Sequence, residues 1–268
     1  MAAQFITPTI VQKIGLYESI SLAEMDGVKL MNRIDAKFLV PLKMLPNLLE
    51  DLRPHYRLLE INGHRMCDYE TLYFDTPDLQ FYHDHQSGRL NRYKIRQRNY
   101  VHTNTVFTEV KFKNNKGRTI KTRILNPKLI NSTLSSETKV FLSQQTPFDP
   151  TILAPILWVD YTRLTLVSRT TAERLTLDLN LSFRNGKSHK SYEQLVVAEV
   201  KQDSLKQSRF LDLMKKYRLR EGSLSKYCLG VISLDKTVKH NRFKAKLNHV
   251  LKINSRGISS ADYSHPPV

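Results

Sequence analysis

Cations at every second position are the feature of this sequence most suited to chemistry. In RYKIRQR, Arg92, Lys94, Arg96 and Arg98 alternate with Tyr93, Ile95 and Gln97. Side chains two apart on a strand share a face, so a strand here projects all four charges one way. The spacing recurs in Glu109, Lys111 and Lys113, in Lys121 and Arg123, and in Arg33, Asp35 and Lys37. ERLTLDLNL sets Arg174, Thr176, Asp178 and Asn180 against Leu175, Leu177, Leu179 and Leu181, and Glu199 aligns with Lys201. A wet outer sheet face also alternates, but it normally mixes Ser, Thr, Gln, Glu and Lys. Rows of like charge repel one another unless an anion sits among them. Guanidinium groups fork onto phosphate oxygens, which accounts for arginine leading the longest row. The pattern predicts a sheet rolled so that its charged faces converge on phosphate.

Glu109, Asp178 and Glu199 share faces with these cations. Each either neutralises a neighbour or offers oxygen to a hard divalent ion, and Glu199, at the end of a strand, is the preferred metal ligand. Other signals carry less. His83 and His85 read as part of a loop beside Gly88, with no third ligand nearby. NNKGR lacks the GxxxxGK[ST] spacing of a phosphate-binding loop. It reads instead as a hairpin turn that sets Lys116 and Arg118 at a rim. Most aromatic residues alternate with the cations and are expected on the opposite face, beneath outer helices.

The elements that must position these rows follow from periodicity. Residues 1–29 form an arm or helix, and 41–53 carry leucines at helical spacing despite Pro46. Strands dominate to about residue 201, interrupted by a Pro-, Ser- and Thr-bearing connection over 126–150 with a short helix. Helical spacing returns at Leu205, Phe210, Leu213 and Met214, then at Tyr227, Leu229, Val231 and Ile232. Residues 237–268 read as a basic, flexible tail.

Composition sets the outer bounds. The 268 residues hold 42 Lys+Arg against 25 Asp+Glu, a formal charge of +17 that calls for a polyanionic partner. Cys67 and Cys228 stand apart, outside any CxxC spacing, and read as reduced buried thiols. Neither a secretory leader nor an apolar run long enough to span a bilayer is visible, so a cytoplasmic protein is expected. Oligomeric state and any peripheral membrane partner stay open.

RIDAKF, YETLYFDTPD, FYHDHQSGRLNRYKIRQR, EVKFKNNKGRTIKTRI, ERLTLDLNLSF, VVAEVKQ and SLSKYCLG, in that order, resemble the vacuolar transporter chaperone (VTC) domain. This is the polyphosphate polymerase branch of the triphosphate tunnel metalloenzymes. The resemblance spans about residues 30–236. It implies an α+β fold: an eight-stranded antiparallel β-barrel with packing helices, including a C-terminal closing helix. It also implies an activity, transfer of the ATP γ-phosphate onto polyphosphate with Mn²⁺ or Mg²⁺ as cofactor, and no nucleic-acid partner.

By position, Arg96, Arg98, Lys111, Lys121 and Lys226 match groups that act on the transferring phosphate. Lys37, Arg163 and Arg174 match further tunnel-wall cations. Arg92, Lys94, Lys113, Arg123 and Lys201 join them as substrate-binding candidates on strand alternation, and Glu199 matches the metal-binding glutamate. One position departs: Ser223 stands where the polymerase pattern has a second lysine. Hydrolysis of triphosphate, or polyphosphate binding without turnover, remains the alternative.

Overall fold

The computed structural model describes residues 6–26, 34–127, 130–202, 208–222 and 224–256. Its order is α1 (Pro8–Gly15), β1 (Ser19–Ile20), α2 (Leu22–Asp26), β2 (Ile34–Pro41), α3 (Leu45–Leu52), β3 (Tyr56–Leu59), β4 (Cys67–Asp75) and α4 (Gln80–Ser87). There follow β5 (Arg92–Tyr100), β6 (Thr105–Lys113), β7 (Thr119–Asn126), α5 (Ser136–Gln145), β8 (Ala154–Ser168), β9 (Glu173–Arg184), β10 (His189–Tyr192) and β11 (Leu195–Gln202). The chain closes with α6 (Arg209–Lys216), α7 (Lys226–Leu234) and α8 (Lys244–Arg256). Arg33, Leu205, Ser223 and the end of the expected tail lie outside the described residues.

Eight long strands form one antiparallel sheet in the order β2-β11-β9-β8-β4-β5-β6-β7. β1, β3 and β10 are short additions to it. The sheet curls into a tunnel, but its terminal strands β2 and β7 do not pair among the described residues. The expected barrel is therefore an open curl. Its β2 edge is met by the chain entering α7: Phe38 bridges Glu221, and Gly222 N donates to Lys37 O at 2.8 Å. Lys94 Nζ on β5 donates to Ser225 Oγ at 2.9 Å, so this same segment spans toward the far wall.

Two of the apolar layers that hold the curl flank β8 and β9, and a third, Leu72, Phe74, Ile95 and Val110 with Leu142 of α5, backs β4, β5 and β6. Behind β2, β11, β9 and β8, Leu164, Leu166, Leu175, Leu177 and Leu179 join Leu45, Leu48, Leu49 and Leu52 of α3 and Phe210 and Met214 of α6. Burying each such leucine contributes about 1.5–3 kcal/mol. The second layer lies on the concave side, where α7 packs against Leu157, Leu181 and Phe183. Gly230 permits this approach, because a Cβ there would lie 2.5 Å from Leu157 and 2.6 Å from Phe183.

Three expectations change here. The leucine alternation on β9 breaks at Asn180, whose φ is +53°, where the β8–β9 register shifts. This extra residue turns Leu181 and Phe183 inward while Leu175–Leu179 stay outside, so Leu181 leaves its expected row. His83 and His85 lie in helix α4, not a loop. Its N-terminal amides at Phe81 and Tyr82 are held by the carboxylate of Asp75, at 2.8 and 3.0 Å, and Gly88 ends it in a left-handed conformation. The segment expected as a flexible tail is helical through α8, because Leu247, Val250 and Ile253 bury one stripe against the concave core.

Candidate functional site: a cationic tunnel

The register aligns the charges into transverse rows. Lys94 lies opposite Lys111, which lies opposite Lys121, three lysines side by side on β5, β6 and β7. The next rows are Arg92 with Lys113, and Arg96 with Glu109 and Arg123. Arg98 faces Thr71 and donates to its Oγ1 at 3.2 Å. On the other wall, Lys37, Glu199 and Thr176 form one row, and Asp35, Lys201 and Arg174 another. Arg163 faces Asp178.

Most inward carboxylates are held between two cations. Glu109, 1% exposed, accepts from Arg96 Nε at 2.6 Å and pairs with Lys121. Burial alone would raise its carboxyl, but Arg96, Arg98 and Lys121 outweigh this and hold it down to about 2. Asp178 accepts from Arg163 Nε and Nη2 at 2.6 and 2.9 Å and pairs with Lys226, which keeps it ionised against full burial. Glu199 Oε1 takes Lys37 at 2.8 Å and Lys201 at 3.6 Å. Burial opposes its ionisation, yet Lys201 and Lys37 bring it to about 2. Its side chain stays 18% exposed to the lumen.

Lys111 differs from these. No carboxylate lies within ion-pair distance of it among the described residues. Partial removal from bulk water, with the charges of Lys94 and Arg96, pushes its ammonium down to about 8. Glu199 and Lys37 also act on it, so the two walls face each other across the lumen.

Each candidate can now be located. Arg92, Lys94, Arg96, Arg98, Lys111, Lys113, Lys121 and Arg123 line one wall. Lys37, Arg163, Arg174, Lys201 and Glu199 line the other, and Lys226 enters from the first turn of α7. Arg123 lies 4.3 Å from the Phe107 ring centroid, nearer the end away from α7.

The aromatic expectation fails in part, because Tyr69, Tyr73 and Tyr161 face inward from β4 and β8. Tyr161 stacks on Tyr69 at 5.1 Å, and Arg98, Arg163 and Lys226 lie over its ring at 5.8, 5.2 and 4.7 Å. Tyr161's hydroxyl is buried without a partner, and Arg96 Nη1 donates to the Tyr73 hydroxyl at 3.1 Å. The register of these tyrosines with Arg96 and Arg163 was the available signal, and it depends on strand pairing rather than on local spacing.

The rolled sheet with its opposed cationic rows defines a tunnel. Residues 32–235 match the VTC domain, and the chain belongs to that family of triphosphate tunnel proteins. No curated protein matches the chain. Among solved structures it is similar to a putative adenylate cyclase from Bacillus halodurans, at 16% identity over 72% of this chain and 94% of that one, with a TM-score of 0.45. A putative adenylate cyclase from Vibrio parahaemolyticus shares 15% identity over 74% and 96%, TM-score 0.43. The Hippeastrum protein HpAC1, described as a putative adenylyl cyclase with dominant triphosphatase activity, shares 13% over 78% and 99%, TM-score 0.46.

Proposed function

We propose that the chain is a metal-dependent phosphotransferase that extends polyphosphate with the γ-phosphate of ATP. The observation that carries this reading is the Lys94–Lys111–Lys121 row, three like charges in direct cross-strand register. Such a row destabilises an empty sheet and is offset when phosphate oxygens lie among the ammonium groups.

Chain and nucleotide would lie end to end in the lumen. A terminal oxygen of the chain attacks the γ-phosphorus, the bond to the β–γ bridging oxygen breaks, and ADP leaves with that oxygen. Phosphoryl transfer asks little covalent chemistry of the protein, so positioning and charge stabilisation supply the rate. Arg96 and Arg98 fork onto equatorial oxygens, while Lys111 and Lys121 neutralise charge beside them. Lys226 and Arg163, released from Asp178 by the stronger negative charge of the substrate, close from the other side.

The family implies a divalent metal. Among the described residues no group of three or more His, Cys, Asp or Glu forms a ready cage. Glu109 and Asp178 are fully engaged, but Glu199 keeps access to the lumen and its captors are flexible lysines. One carboxylate together with substrate phosphates suits Mg²⁺ or Mn²⁺, so Glu199 would hold the ion. When bound, the ion would withdraw negative charge from the phosphates.

Incubating the purified protein with ATP and Mn²⁺ and resolving the products on a gel tests the reading. A ladder of acid-labile polymer with stoichiometric ADP is expected. Orthophosphate alone would make the tunnel a hydrolase, and tight polyphosphate binding without turnover would make it a binding module. No helix among the described residues is long and apolar enough to cross a membrane.

A further inference from the structure

An open cavity of about 400 Å³ lies behind the tunnel wall, between α4, the start of β5, the end of β6 and the loop that follows α5. That size falls within the roughly 300–1,000 Å³ usual for small-molecule sites. Strand alternation sets its walls. Tyr93 sits between Arg92 and Lys94, and Phe112 between Lys111 and Lys113, so both rings turn away from the lumen. Tyr93 and Phe112 are cross-strand partners whose rings stack at 4.6 Å, and Phe148 meets Tyr93 edge-on at 5.6 Å. The cavity therefore has a flat aromatic wall.

Its polar groups are few and unevenly engaged. Asp84 of α4 lines the cavity while only 9% exposed. Its ion pair, Oδ1 with Arg89 Nη1, spans 3.3 Å, and the Arg89 side chain is 66% exposed. Oδ2 takes no hydrogen bond among the described residues. A buried carboxylate normally gathers more than this. Asp75, at the other end of α4, shows the usual case: it takes the amides of Phe81 and Tyr82 and the hydroxyl of Tyr227. Asn91, also in the lining, accepts from Asn115 N at 2.9 Å through Oδ1, which leaves its Nδ2 as a donor. Arg92 Nη1 donates to Arg89 O at 2.8 Å, so cations border the cavity.

Each feature narrows the ligand. An aromatic wall suits a planar ring system that can stack on it. A carboxylate accepts and does not donate, so that ring must present N–H groups to Asp84. Arg89 and Arg92 disfavour a cationic ring and favour attached phosphate. Guanine offers two adjacent donors, N1–H and N2–H, with the acceptor O6 beside them. Adenine offers a donor at N6 next to the acceptor N1, which would set a lone pair against the carboxylate.

We propose that this cavity is a guanine-nucleotide site outside the tunnel. Asp84 takes N1–H and N2–H, Asn91 donates to O6, and the base stacks on the Tyr93–Phe112 wall. Arg89, released from Asp84, turns to the phosphate. The site is independent of the phosphate-chain reading, since none of these five side chains lines the lumen.

The test is calorimetry on the full chain with guanosine, GMP, adenosine and AMP, in saturating tripolyphosphate to occupy the lumen. Guanosine is expected to bind at least about tenfold more tightly than adenosine, the scale of a bidentate base contact. GMP is expected to bind more tightly than guanosine. Asp84→Asn sets a donor beside an acceptor, the pair an adenine edge matches, so the preference should reverse toward adenosine and AMP. Its tripolyphosphate binding should be unchanged. Arg89→Ala alters an exposed side chain and should bring GMP down to the affinity of guanosine; it keeps the test decisive even where Asp84→Asn fails to fold. Equal binding of the two nucleosides, no binding of guanosine at millimolar concentration, or a preference unmoved by Asp84→Asn overturns the site. Competition between guanosine and tripolyphosphate would put the nucleoside in the tunnel and also overturn it. Failure of tripolyphosphate to bind would instead refute the tunnel reading and leave the nucleoside comparison intact.

Discussion

The two walls of the tunnel are built on different electrostatic plans. On β5, β6 and β7 the cations run in rows with Glu109 as their inward carboxylate. On β2, β11, β9 and β8 the carboxylates Glu199 and Asp178 each sit between two cations. Their supports differ as well. The second wall is backed by the leucine layer and by α3 and α6, whereas the first has a smaller apolar layer behind β5 and β6, with α5, and leaves Ile120 and Leu125 of β7 exposed. The first wall therefore carries unbalanced positive charge and needs an anion. The second balances itself without ligand; in the proposed reading its cations and the carboxylate of Glu199 become available when phosphate competes for them.

Breaking the unbalanced wall should cost most. Arg96→Ala or Lys121→Ala is expected to lower ADP release from ATP by about 10²–10³-fold, the scale for losing one preorganised donor at a charge-developing centre. Each also strips a cation from Glu109 and leaves a buried carboxylate short of partners, so thermal melts should accompany the kinetics.

The balanced wall should respond through metal. Glu199→Gln is expected to raise the Mg²⁺ or Mn²⁺ concentration needed for half-maximal turnover by at least the roughly 10–100-fold found for groups that merely orient metal ligands. An unchanged metal titration would remove Glu199 from this role and leave it a partner for Lys37 and Lys201.

A smaller effect separates the walls by pH. Partial burial with the charges of Lys94 and Arg96 pushes the Lys111 ammonium down to about 8, and a bound phosphate chain would favour its charged form. Below pH 8 the proton is already present and binding takes none up. Above it, binding must take up a proton, so affinity should fall with rising pH by up to about tenfold per unit until the bound-state pKa is passed. Lys111→Met should flatten that decline. For stability the sign is opposite: the folded pKa lies below the unfolded one, so this group favours folding more as pH rises from about 8 toward about 10.4.

The smallest expected effect concerns the helix between the walls. Gly230→Ala forces α7 away from Leu157 and Phe183, at about 1–3 kcal/mol in urea unfolding, with activity lowered only as far as Lys226 moves from Asp178.

Much of this architecture was legible from local spacing. The β5 and β6 rows, the NNKGR hairpin with Gly117 at φ +75°, and the helix carrying Pro46 in its first turn follow from residues near one another in sequence. The match to the family added Lys226 and Arg163, which no period marks. What stayed hidden depended on partners far along the chain. Asp75 makes α4 a helix and also holds Tyr227 on α7, yet nothing near residue 75 announces either contact. The Asn180 bulge reverses the faces of β9, and a strict two-residue period cannot foresee an extra residue. Tyr161 lies at the shift in β8, so its inward aim appears only once β4 and β8 are paired. The α8 helix was masked by its basic residues, which outnumber the three apolar ones that bury.

The central claim is that a phosphate chain lies against the β5–β6–β7 wall. A crystal structure with tripolyphosphate tests it directly. The account predicts phosphate oxygens within hydrogen-bond distance of Lys111, Lys121 and Arg96, with Lys226 turned from Asp178 toward the ligand. Tripolyphosphate bound outside the lumen, with the Lys94–Lys111–Lys121 row unoccupied, would contradict it.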